Sequence, residues 1–244
     1  MQSYFEQVSK VLETIQKTQQ AAMQQAAAVC AEAISSQRMI FILGTGHSHM
    51  LAEEPYYRAG GLVPILPILD TGLMLHEDAV KSTQLERLKG YAAILLDRAG
   101  VGRGDVLFIA SNSGINSVPV EAALEARQRG AYVIALTSLA HSRHAEPRHP
   151  SGSRLYEAAD LVLDNCGVHG DAAVHLEGLE TPIGPTSTIA GAFIMNSIVV
   201  KICENLLASG VEPPVFRSAN VAGGEAHNNE LIERLRQAGY RLRL

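Results

Sequence analysis

The sequence predicts an α/β domain, a parallel β-sheet with helices packed on both faces. Three observations lead there. Short, β-rich apolar runs recur along the chain without polar alternation, as strands read when both faces of their sheet are covered. Helical segments alternate with those runs, the order that builds a parallel sheet. Four of the runs end at Gly44, Ser111, Thr137 and Asp164, residue types that open turns.

Residues 3–36 contain neither Gly nor Pro and are rich in Ala, Gln and Glu, so they form helix. Apolar or small residues at Val8, Val11, Leu12, Ile15, Ala22, Ala26, Val29 and Ala33 keep a period near 3.6. One helix of this length would run about 50 Å at ~1.5 Å per residue, longer than such a domain is wide, so part of its stripe would pack on another subunit. Two helices bent near Gln19 and Gln20 are the alternative.

The strands are then expected at 39–43 (MIFIL), 62–69, 105–110 (DVLFIA), 131–136 (AYVIAL) and 160–163 (DLVL). Pro64 and Pro67 place the second at a sheet edge. Helices are expected over 48–59, over 78–98 with a break at Gly90, and over 117–129. In the last of these Ser117 caps, Pro119 sits in the first turn and Gly130 ends the helix. Residues 186–209 read as a long buried helix and 228–237 as a final surface one. With no internal repeat or low-complexity linker, this is one domain. It carries a helical extension over 1–36 that serves oligomerisation, a body over 37–210 and a C-terminal segment over 211–244.

Composition narrows the function. Of the 244 residues 47% are hydrophobic and 18% charged, the profile of a soluble globular chain. A net charge of −5 with scattered Lys and Arg offers no surface for nucleic acid. Cys30, Cys166 and Cys203 lie far apart with no CxxC spacing, which argues against a disulfide framework or a zinc site and fits a reducing cytoplasm. The opening MQSYFEQVSK lacks the basic-then-apolar pattern of a signal peptide. The apolar stretch 189–203 is shorter than the roughly 20 residues of a membrane span and carries Asn196, Ser197 and Lys201. No membrane partner is therefore expected.

In an open parallel sheet the ligand sits beyond the carboxyl ends of the strands. Those ends read Gly44-Thr45-Gly46-His47-Ser48, then Ser111-Asn112-Ser113-Gly114, then Thr137-Ser138. Glycines let backbone approach an anion, fresh helix N-termini aim N–H groups at it, and hydroxyls add donors. Each bond to a charged group contributes roughly 1.5–3 kcal/mol, so four or five neutral donors hold a phosphate without a lysine. GTGHSH also begins like a dinucleotide fingerprint, with Asp70 near the second strand end, but His49 replaces the third glycine. The P-loop ending is absent, and no cofactor is called for.

Taken in order, GTGHSH after a strand, SNSG before a helix, Thr-Ser after the next strand and PTST (185–188) opening a late apolar helix resemble the sugar isomerase (SIS) domain. The resemblance covers roughly 37–210. It implies a flavodoxin-like, three-layer α/β/α sandwich on a five-stranded parallel sheet, working as a homodimer or homotetramer on a sugar phosphate. Carried over by motif, Ser48, Ser111, Ser113 and Thr137 would bind phosphate or sugar hydroxyls, helped by the amides of Asn112 and Gly114; Gly46 and Ser138 belong to the same loops. The length, the N-terminal helix and FRSANVAGGEAHN (216–228) resemble a phosphoheptose isomerase-like SIS subgroup.

Aldose–ketose isomerisation needs a base between adjacent carbons and a second acid/base for oxygen. Glu53 and Glu54 follow the first loop by one to two helical turns. The Ala-Glu-Glu run resembles the heptose enzymes, where the second Glu serves, whereas alignment on Pro55 favours the first. His227, after the Gly223-Gly224 turn and ahead of a helix, is the candidate second group. The heptose enzymes carry theirs in the late helix, where this chain has Asn196. His47 and His49, the group His141, His144 and His149, and the pair His169 and His175 show no diagnostic metal spacing, so no metal is expected. The preferred reading is a sugar-phosphate isomerase acting through an enediol. A lyase or etherase on an amino-sugar phosphate and a free-standing phosphosugar sensor are the alternatives.

Overall fold

The apolar runs form one sheet because each offers apolar side chains to both of its faces. In the computed structural model, which describes residues 2–243, the strands are β1 (Ile40–Gly44), β2 (Ile65–Ile68), β3 (Val106–Ala110), β4 (Tyr132–Thr137) and β5 (Leu161–Asp164). They are all parallel, in the order β2-β1-β3-β4-β5. The proline-bearing β2 is an edge strand, as expected. Alternate residues serve separate cores. Ile40, Ile42, Val106, Phe108 and Ile134 face one helix layer, while Phe41, Leu43, Leu107, Ile109 and Val133 face the other. A one-residue slip would exchange the two sets, so register is strongly specified.

The first layer holds α1 (Gln2–Thr18), α2 (Gln20–Ser35), the short α3 (Met50–Glu53) and the long α9 (Ser187–Ala208); the second holds α5 (Tyr91–Ala99), α6 (Ser117–Gln128) and α8 (Leu155–Ala158). Helix α4 (Ala79–Glu86) precedes α5, and α7 (Leu139–Ser142) follows β4.

The N-terminal stretch is two helices, not one. The break falls at Gln19, whose side-chain oxygen accepts from the Asp164 amide at 3.1 Å, at the end of β5. Bending there returns the chain over the sheet, and the small side chains of α2 (Ala26, Ala27, Ala31, Ala33) let it pack closely into the core beside α9. Helix α3 is also shorter than the expected 48–59. It stops at Glu53 after a 3-10 turn over Gly46–His49, because Pro55 has no N–H to continue the ladder. Asn116, not Ser117, is the N-cap of α6, and its side-chain oxygen accepts from Arg148 Nη1 at 2.8 Å.

Helix α9 buries one face only. Ile189, Phe193, Val200 and Leu207 lie exposed along the other. By length and composition it could cross a membrane, but Ala190, Ile194, Ile198 and Ile202 pack in the domain core.

Between β5 and α9 lies a small antiparallel hairpin, β6 (Ala172–Val174) and β7 (Ile183–Pro185), which the sequence reading did not anticipate. The last helix, α10 (Gly224–Gln237), starts earlier than expected and packs Leu231, Ile232 and Leu235 on Val63 and Phe216. Beyond it Arg241 pairs with the fully buried Asp105, at the amino end of β3.

Candidate functional site

Three strand ends meet around a narrow recess at the carboxyl edge of the sheet, about 10 Å³ in volume, the room of a single water. Ser48 and Leu51 line it after β1, and Ser111 and Asn112 after β3. Asn165 after β5 and Ser187 and Thr188 of α9 close the far side. None of the lining side chains is charged, so an anion here meets neutral donors only.

The first wall depends on a glycine. A Cβ on Gly44 would stand 2.1 Å from the Ser48 carbonyl oxygen, so only glycine lets the 46–49 turn close over the strand end. Gly46 opens that turn at φ +56°. The Ser48 amide donates to the Thr45 carbonyl at 3.0 Å, and the Thr45 hydroxyl donates to Glu86 at 2.7 Å.

The second wall is the Ser111–Gly114 turn. The buried Ser111 Oγ accepts from the Gly114 amide at 3.2 Å, which curls the loop back on itself. Gly114 has φ +63°, and a Cβ there would meet Ser142 Oγ at 3.0 Å. Among the described residues no acceptor engages the amides of Asn112 and Ser113, nor the Ser113 hydroxyl. Successive free amides ahead of a helix N-terminus form an anion-binding concavity.

Thr137 and Ser138 reach the same turn but in a different role from the one expected. Thr137 Oγ1 donates to the Asn112 carbonyl at 3.2 Å, and Ser138 Oγ donates to the Gly167 carbonyl at 2.8 Å while accepting from the His141 amide. Both residues are fully buried. Their hydroxyls brace the loop and are not offered to a ligand. The Gly114 amide, likewise, is committed to Ser111.

Asn165, Ser187 and Thr188 were missed as lining residues. Asn165 Nδ2 donates to Asn112 Oδ1 at 2.8 Å, joining the ends of β3 and β5. The signal was available: a polar residue follows β5, and Thr-Ser-Thr opens α9, the same pattern read at the other strand ends.

The two glutamates differ in surroundings. Glu54 is not among the lining residues but follows one of them, Leu51, by three positions. Its Oε1 accepts from Asn196 Nδ2 of α9 at 2.9 Å and pairs with Arg58. Glu53 is more exposed and faces His49, Nε2 to Oε2 3.8 Å. His227 lies within the first turn of α10, not on a loop ahead of a helix, and within this chain that helix packs beside the amino end of edge strand β2. Within one subunit His227 is not among the residues that line the cavity.

The remaining candidates have local partners. Asp70 accepts from the Gly72 amide and from Tyr91 Oη, both at 3.0 Å. His141 stacks on His169 with ring centroids 4.9 Å apart, and burial together with His169 lowers its pKa. His149 lies 3.5 Å from Glu121. Among the described residues no group of three or more His, Cys, Asp or Glu gathers to hold a metal ion.

A parallel five-stranded sandwich with hydroxyl and amide groups converging beyond its strand ends defines a class: an α/β protein with an uncharged crevice at the carboxyl edge of its sheet. A sequence model of the SIS domain matches residues 3–138. The chain is also 43% identical over 234 residues to a UPF0309 protein of Geobacillus thermodenitrificans, covering 96% of this chain and 94% of that one. The chain belongs to the SIS domain family. Among solved structures it resembles a phosphoheptose isomerase from Francisella tularensis (TM-score 0.55, 19% identity, 83% of this chain and 96% of that one). It also resembles the Vibrio vulnificus NanR protein complexed with ManNAc-6P (TM-score 0.50, 17% identity, 96% and 68%).

Proposed function

We propose that this protein binds a sugar phosphate and catalyses aldose–ketose isomerisation through an enediol. One observation carries the reading: Ser48, Ser111, Asn112, Ser187 and Thr188 from separate elements converge on a single small uncharged recess beyond the strand ends, above which the ligand would sit. The phosphoryl group would rest on the Asn112 and Ser113 amides and the hydroxyls of Ser48 and Ser113. Solved structures of the same fold with a phosphoheptose isomerase and a ManNAc-6P complex among them agree with this ligand class.

Glu54 is the candidate base, because it comes three residues after the cavity-lining Leu51 and is held by Asn196. It would take the proton from the carbon beside the carbonyl and return it to the neighbouring carbon, while the two oxygens exchange a proton. Glu53, facing His49, is the lesser candidate. His227 would take part only from a neighbouring copy in a homodimer or homotetramer, a cytoplasmic assembly we include in the proposal.

One observation favours a second reading, a phosphosugar sensor. The side chain beside Glu54 on α9 is Asn196, which cannot exchange protons at neutral pH. The two readings separate in one pair of measurements. A thermal-shift panel of heptose, hexose and amino-sugar phosphates identifies ligands through stabilisation of the folded state. Incubating each hit in deuterium oxide then shows whether deuterium enters the carbon next to the carbonyl. Binding without exchange rejects the enzyme reading, a released second fragment replaces isomerase with lyase, and a panel without any stabilising ligand rejects both.

A further inference from the structure

The far wall of the cavity already holds an anion supplied by the chain itself. Asp171 Oδ1 accepts from the amides of Thr186 (3.1 Å) and Ser187 (2.8 Å), the first N–H groups of α9. Asp171 Oδ2 accepts from Ser187 Oγ at 2.6 Å. To deliver this carboxylate the backbone at Asp171 adopts φ +71°, a left-handed conformation uncommon outside glycine. The loop that presents it is held at two points just ahead of Asp171. The Gly167 amide donates to Asn165 Oδ1 at 2.9 Å, and the Gly170 amide donates to His141 Nδ1 at 2.9 Å. Beside it the Thr186 hydroxyl is buried without a hydrogen-bond partner.

A hydroxyl has a single proton to give. Ser187 gives its proton to Asp171, so only lone pairs remain for whatever occupies the cavity. The positive end of the α9 dipole is likewise answered by the Asp171 charge. The two ends of the crevice therefore differ in kind. At Ser48 and Ser111–Gly114 it offers free donors, and at α9 it offers an acceptor backed by a negative charge.

We propose that Asp171 is a specificity-determining residue. It turns Ser187 into a hydrogen-bond acceptor, excludes the phosphoryl group from the N-terminus of α9, and so orients the ligand with a sugar hydroxyl or amine toward Ser187. This deepens the sugar-phosphate reading and rests on it. Asp171 acts through Ser187 and is a positioning residue.

The probe is inorganic phosphate, titrated calorimetrically and followed by phosphorus NMR on the full chain and on Asp171→Gly, Ser187→Ala and Ser113→Ala, each checked for folding by circular dichroism. Glycine removes the whole acceptor, where asparagine would keep an oxygen on the two amides, and it suits the left-handed backbone there. Ser187→Ala should bind phosphate within about twofold of the unaltered protein, since no donor to phosphate is lost. Asp171→Gly should gain a second phosphate, held by the released amides and the freed Ser187 hydroxyl, and adding Ser187→Ala to it should weaken that second site. A loss of about tenfold or more in Ser187→Ala alone overturns the inference, because the serine would then have been a phosphate donor. A folded Asp171→Gly that still binds one phosphate, or none, overturns it as well. If Asp171→Gly does not fold, the Ser187→Ala result decides. Failure of Ser113→Ala to weaken binding refutes the phosphate site itself while leaving the α9 outcomes readable.

Discussion

Glu54 accepts a hydrogen bond from the side-chain amide of Asn196 at 2.9 Å, which ties the residue after α3 to the middle of α9. The packing below makes the meeting possible. A Cβ on Gly191 would lie 2.5 Å from Leu51 Cδ1, so glycine lets α3 settle onto α9. Glu54→Gln should lower turnover by about 10²-fold or more, the scale of a lost general base, while Glu53→Gln should stay within a few-fold. Steady-state kinetics on the two variants checks this, and equal losses would remove the distinction drawn between them.

Ser113 and Thr137 should separate binding from bracing. Ser113→Ala should weaken sugar-phosphate binding by roughly 1.5–3 kcal/mol with the melting temperature unchanged. Thr137→Val should instead cost about 1 kcal/mol of stability, because the Asn112 carbonyl loses one of its donors. Calorimetric binding and denaturant unfolding on both variants give the two readouts, and a purely energetic loss of ligand in Thr137→Val would contradict its bracing role.

Gly44→Ala should be among the most damaging small substitutions in the protein. Its methyl group would press on the Ser48 carbonyl at 2.1 Å, and backbone cannot swing away as a side chain can. We expect a loss of about 3 kcal/mol or more by urea denaturation, with phosphate binding lost alongside.

The three thiols should react in sequence. Cys30 is fully buried, and that burial pushes its thiol far above the ordinary range. Cys166 and Cys203 are half-buried, with thiols raised by burial to a lesser degree. Ellman's reagent should modify Cys166 and Cys203 slowly in the native protein and Cys30 only after denaturant is added. Labelling of Cys30 in the folded state would contradict its place on the buried face of α2.

Acidification should loosen the loop around His169. Burial and the neighbouring His169 lower the pKa of His141 below its ordinary 6.5. The unfolded chain therefore takes up the proton first, so this contribution to stability is present above pH 6.5 and fades as pH falls below it. His141 remains partly open to solvent, so the effect is small. Unfolding midpoints measured between about pH 7 and pH 5 should decline less steeply in His141→Gln.

Much of this architecture was legible in the residues. Continuous apolar runs such as MIFIL and VLFIA marked strands covered on both faces, and Pro64 and Pro67 marked the edge. Element ends were misjudged in places, one decided by a distant partner and others by the chain nearby. The bend at Gln19 exists because the Asp164 amide waits at the end of β5. The early stop of α3 follows from Pro55, and His227 left its expected loop because α10 begins at Gly224.

What the sequence determined alone is the order of strands and helices, and the placing of small hydroxyl residues and glycines at strand ends. Periodicity and turn chemistry are local properties, so a linear reading captures them. Only the tertiary structure decided which hydroxyls are free. Ser113 keeps its proton, whereas Thr137, Ser138 and Ser187 have given theirs to Asn112, Gly167 and Asp171. A hydrogen bond is a matter of ångströms between residues that can lie 16 or 29 positions apart, and identity at one position carries no record of the partner folding brings to it.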